Sequence, residues 1–115
     1  MSQAKQVKAE TFQSQVVQSE VPVLVDFFAT WCGPCRLMGP VLDRVAAQVA
    51  GRAKVVKVDV DEDPGLAGEF EVASIPTLVF FHNGKVAGRI VGLVRAEQLV
   101  EMIDKACAPA RVVAR

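Results

Sequence analysis

The chain has 115 residues, enough for one compact domain with a single core and too few for two ordinary ones. Hydrophobic residues make up 51% and charged residues 23%, a globular composition that excludes disordered, collagen-like and coiled-coil classes. Thirteen Lys and Arg balance thirteen Asp and Glu, and no basic run is long enough to neutralise a row of phosphates, which argues against nucleic acid as a partner.

Met1 to Lys8 lacks the apolar stretch of a signal peptide, so a cytoplasmic location is expected. A weak edge-strand signal lies around Gln6 to Ala9. Thr11 can cap a short helix that turns Phe12, Val16 and Val17 inward and Gln13, Gln15 and Gln18 outward. Val21 to Ala29 is almost continuously apolar and rich in β-branched and aromatic residues, the pattern of a strand covered on both faces. Asp26 interrupts this run, which falls far short of the roughly 20 residues that span a bilayer, and no membrane segment is expected. Met38, Val41, Leu42, Val45 and Val49 recur at helical spacing and predict a helix from about Pro34 to Ala50, kinked at Pro40. Ala53 to Val60 reads as a further strand and Pro64 to Phe70 as a short helix. Thr77 to Phe81 and Lys85 to Val91 flank Asn83-Gly84, the strongest short hairpin signal, and are expected to pair antiparallel. Arg95 to Cys107 places Ala96, Leu99, Val100, Ile103 and Cys107 on one face of a closing helix, and Ala108 to Arg115 reads as a frayed tail. The order is βαβαβαββα, an α/β pattern whose alternating units imply right-handed parallel crossovers before the hairpin. With no internal repeat and no linker, a single domain over residues 1–115 is expected, its core at about 6–108, as a monomer.

The chemistry gathers at Trp31-Cys32-Gly33-Pro34-Cys35. Two cysteines separated by two residues can close and reopen a disulfide locally, although the same spacing also supplies half of many zinc sites. A strand ending at Ala29 that feeds Cys32 into a helix start puts its sulfur beside unpaired N–H groups and the positive end of the helix dipole. Both favour the thiolate, so Cys32 is expected as an exposed nucleophile and Cys35, one turn further in, as the resolving thiol. Gly33 and Pro34 keep the link tight and pre-shape the first helical turn. For zinc only Cys107 and His82 remain, neither with paired-ligand spacing, and Arg36 stands where covalent haem would need histidine. Asp59, Asp61 and Asp63 imitate half a calcium loop, but Pro64 and Phe70 replace its glycine and glutamate, so they read as solvated charges, one capping the next helix. No metal is expected. Cys107 reads as a small buried thiol and His82 as an exposed loop histidine. Asp26, a carboxylate within an apolar strand, should have its pKa raised towards neutrality; residues alone favour a structural carboxylate over a proton relay. Trp31 is expected to be exposed because it adjoins the nucleophile.

The chain resembles the thioredoxin family. Trp31 to Cys35 is that family's signature, and Val25-Asp26-Phe27, the mid-helix Pro40, Ile75-Pro76-Thr77, Asn83-Gly84 and Gly92 fall in its order and approximate spacing across nearly the whole chain. The resemblance implies a thioredoxin fold, a mixed central sheet of about five strands sandwiched by about four helices. It also implies a general protein disulfide reductase working through Cys32 and Cys35 by a mixed disulfide. On the same ground Asp26 lies beneath the second cysteine and helps deprotonate it, with Lys57 nearby on the neighbouring strand, so the proton-relay reading becomes the favoured one. The bond before Pro76 is expected to be cis, although local sequence alone favours trans. Ser74, Ile75 and Pro76 would pair with an extended substrate, and Trp31, Gly33, Pro34 and Gly92 would complete a flat rim. The implied partners are disulfide-containing proteins and an NADPH-dependent flavoprotein reductase, with no cofactor bound by the chain itself. The alternative is a redox-independent docking or chaperone module of the same fold; an oxidant is disfavoured by Gly33-Pro34. Two departures affect partner choice and packing: Phe28 stands where many members carry tryptophan, and Ala73 where a basic residue is frequent.

Overall fold

Every residue of the strand Val23–Phe28 (β2) is buried, because a helix covers each face of the sheet it centres. The computed structural model describes residues 2–107; the expected tail at 108–115 lies outside them. Around β2 the chain lays down β1 (Lys5–Gln6), α1 (Ala9–Phe12, continuing through a wider π-helical turn at Gln13–Val17), α2 (Gly33–Gln48) and β3 (Lys54–Asp59). It then forms α3 (Pro64–Glu69), β4 (Thr77–His82), β5 (Lys85–Val91) and α4 (Ala96–Cys107). The sheet order is β1-β3-β2-β4-β5, with β1 and β2 parallel to β3 and with β4 antiparallel to both β2 and β5.

Alternation along β2 divides the interior. Val23, Val25 and Phe27 face the layer made with α1 and α3, where Phe70 and Phe81 have ring centroids 5.2 Å apart and Phe12 packs on both. Leu24 faces the opposite layer, packed with Met38, Leu42 and Val45 of α2 and Leu99 and Ile103 of α4. Burying each such side chain contributes about 1.5–3 kcal/mol. The long helix α2 runs unbroken through Pro40, whose ring is exposed.

Three expectations need correction. The edge strand forms earlier, at Lys5–Gln6, where Val56 and Lys57 of β3 offer pairing partners. Thr11 is not a cap: α1 begins at Ala9, with Lys8 in the capping position and the Thr11 hydroxyl donating to the Lys8 carbonyl. The third unit makes no parallel crossover, since β4 runs antiparallel to β2. A parallel return must carry the chain back the length of a strand, about 20 Å for six residues, and the 6-residue α3 rises only about 9 Å. The chain therefore turns into the sheet from the end it left. At Asn83 and Gly84 φ is 55° and 78°, which gives the tight two-residue hairpin that dipeptide encodes.

Candidate active site

The site forms where β2 ends and α2 begins. Cys32 and Cys35 are paired as a disulfide with Cα atoms 5.2 Å apart. Cys32 occupies the N-cap position of α2 with extended backbone, φ −87° and ψ 114°, and its sulfur accepts the Cys35 N–H at 3.2 Å. Pro34 sits in the first turn, where its missing N–H leaves nothing unsatisfied. Cys32 is not the open thiol expected: it is only 4% exposed, and Cys35 1%. The disulfide is the reason: the bond to Cys35 holds the Cys32 sulfur over the first turn of α2, in a cluster with Phe28, Ala29 and Ile75.

Asp26 lies on the α2 side of β2, since alternation puts it on the face of Leu24 and Phe28, whose neighbours are Met38 and Cys35 respectively. It is 3% exposed, and among the described residues its Oδ1 has no hydrogen-bond partner. Burial pushes its carboxyl from the ordinary 3.8 up to about 7, while the positive charge of Lys57 pulls the other way. Lys57 stands directly beside it in the β2–β3 register, half-buried, with its ammonium donating to the Ser2 carbonyl at 2.9 Å and lying 5.5 Å from the centre of the Phe28 ring.

Across from the disulfide, the Ile75–Pro76 peptide is cis and the Ile75 carbonyl oxygen lies 4.0 Å from the Cys32 sulfur. Ser74 is exposed, Ile75 half-buried and Pro76 buried. The Gly92 N–H, at φ +93°, donates to the Pro76 carbonyl at 2.8 Å, which ties the β5–α4 loop to this segment. Among the described residues no backbone–backbone hydrogen bond engages Ile75. Trp31 is 66% exposed, and Gly33 and Pro34 are exposed beside it.

Sequence reasoning missed several residues here. Leu37, Val91 and Leu93 are large, apolar and more than half exposed; Leu37 is one helical turn from Gly33 and Pro34, and the other two flank Gly92. The available signal for Leu37 was its position off the apolar stripe of α2. The three aspartates are not all solvated: Asp59 is 5% exposed and accepts the N–H groups of Asp61 and Glu62. Asp61 accepts the Trp31 indole N–H, and Asp63, at the N-cap position of α3, accepts from Ala9 N–H instead of its own helix. His82 is the half-buried last residue of β4, opposite Lys85, rather than an open loop residue. Cys107 is only partly buried against the α2–α4 core; burial, then the charge of Asp104, holds its thiol pKa above the ordinary value. Among the described residues no helix is long and apolar enough to cross a membrane.

The family model described as Thioredoxin matches residues 3–105. The chain belongs to the thioredoxin family. It is 48% identical over 105 residues to Thioredoxin 1 of Nostoc sp., covering 91% of this chain and 98% of that one. It is 38% identical over 102 residues to Thioredoxin of Rickettsia felis, covering 89% and 97%, and 42% identical over 104 residues to the chloroplastic M-type thioredoxin of Chlamydomonas reinhardtii, covering 90% and 74%. With the Cys32–Cys35 pair in place on a five-stranded mixed sheet, this thioredoxin-family chain is a protein-disulfide oxidoreductase that performs dithiol–disulfide exchange. Its partners are disulfide-containing proteins and a reductase that returns electrons to it.

Proposed function

We propose that reduction of a client disulfide proceeds by divided labour between the two cysteines. The Cys32 thiolate attacks one client sulfur, the client S–S bond breaks, and its other sulfur leaves as a thiolate and takes up a proton. The Cys35 thiolate then attacks the Cys32 sulfur, releasing the second client thiolate and leaving Cys32–Cys35 oxidised. Two electrons pass to the client. Asp26 takes the Cys35 proton, and Lys57 stabilises the carboxylate before that transfer. The observation that carries this reading is the N-cap position of Cys32: within the disulfide its sulfur already accepts the Cys35 N–H, and the same helix N-terminus stabilises a thiolate there once the bond is reduced.

A client strand lies along Ser74, Ile75 and Pro76, whose backbone edge is open at Ile75, with Trp31, Gly33, Pro34 and Gly92 as the rim and Leu37, Val91 and Leu93 beyond it. The reductase partner is NADPH-dependent, and the chain acts as a monomeric, single-domain protein in the cytoplasm. Cys32→Ser is expected to abolish turnover, and Cys35→Ser to accumulate client mixed disulfides visible on non-reducing gels. Full activity in either variant would sink the divided roles.

A further inference from the structure

An aromatic ring as exposed as Trp31 ordinarily changes rotamer freely in solvent. Here the indole N–H donates to Asp61 Oδ2 at 2.7 Å, across 30 residues of chain. Asp61 is itself held, because its backbone N–H and that of Glu62 donate to Asp59 Oδ1 at 2.8 and 3.3 Å. Asp59 is buried at the end of β3. A buried carboxylate thus shapes the loop, the loop places Asp61, and Asp61 sets the plane of the ring that precedes Cys32. Tryptophan has one polar hydrogen, so a single acceptor is enough to select its orientation.

We propose that Asp61 is a positioning residue for client binding: it holds the Trp31 indole as a standing wall beside the disulfide, so that a client meets an ordered ring. Ordering a mobile side chain during binding would weaken association by about two- to ten-fold. Asp61 touches none of the reacting sulfurs, so its effect falls on binding and leaves the exchange chemistry alone. The inference rests on the reading of Trp31 as part of the client rim.

The chain holds a single tryptophan, so its fluorescence reports this ring alone. Pre-reduced protein is mixed with insulin in a rapid-quench experiment, and the rate of disulfide reduction is followed against insulin concentration. Asp61→Ala is expected to raise the half-saturating insulin concentration about two- to ten-fold with the limiting rate unchanged. Its tryptophan anisotropy should fall and its quenching by acrylamide should increase. Asp61→Asn keeps an oxygen for the indole and is expected to restore both binding and anisotropy. Asp61 is exposed, so neither change empties a buried site. A freed ring in Asp61→Ala with unchanged half-saturation overturns the proposal, as does an equal loss in Asp61→Asn, which would make the charge the agent. Trp31→Ala separates the two readings: weaker insulin binding there supports the rim, and unchanged binding removes the rim itself.

Discussion

Burying Asp26 has a thermodynamic cost that depends on pH in a definite direction. The folded protein keeps this proton up to about pH 7, whereas the unfolded chain releases it near 3.8, so the folded form binds more protons between these values. Its stability therefore falls as pH rises through that window and stays reduced above it, by up to about 4 kcal/mol. Asp26→Asn has no charge to bury and is expected to be the more stable protein at pH 8, with the advantage shrinking to nothing near pH 4. Urea unfolding at both pH values checks this, and equal stabilities at pH 8 would contradict it. The same variant should slow decay of the mixed disulfide near neutral pH and flatten its pH–rate profile. An unchanged profile would remove Asp26 from proton transfer.

At the scale of elements, two glycines with left-handed backbone separate packing from strain. A Cβ on Gly84 would stand 2.9 Å from the Val17 carbonyl oxygen, whereas one on Gly92 would meet nothing within 4 Å. Gly84→Ala is expected to cost about 1–3 kcal/mol and Gly92→Ala about 1 kcal/mol, measured by thermal or urea unfolding. The reverse order would show that the β4–β5 turn can shift away from α1. That hairpin was legible because Asn83-Gly84 admits few backbone conformations, and β2 and α2 were legible because their apolar spacing matches one period each. Strand direction was not: Pro64 to Phe70 was legible as a short helix, but the residues between it and Thr77 carry no sign of which end of the sheet they lead to, so β4 looked like another parallel strand. The Trp31–Asp61 bond was illegible for a related reason, because it joins two loops whose approach exists only once β2 and β3 are paired. The burial of Cys32 comes from the closed disulfide and from Phe28, Ala29 and Ile75 packed around it, neighbours that the five-residue motif does not name.

For the whole molecule, equal numbers of acidic and basic residues leave no net field to draw clients in. Reduction of a near-neutral client is expected to vary less than about two-fold between low and physiological ionic strength, because the proposed apolar rim would act through short-range contacts. A steep fall in kcat/KM with salt would point to charged guidance instead. The disulfide itself belongs to neither main layer of the interior. Cys32 and Cys35 pack in a small third cluster with Phe28, Ala29, Val60 and Ile75, while the side chains that hold α2 and α4 to one face and α1 and α3 to the other lie in separate groups. Making and breaking that bond is therefore expected to disturb mainly this corner of the molecule, which touches the α1–α3 layer through Val60. With the reacting bond packed largely apart from the scaffold, repeated cycling between the two oxidation states is expected to wear on the sulfur chemistry before it reaches the fold.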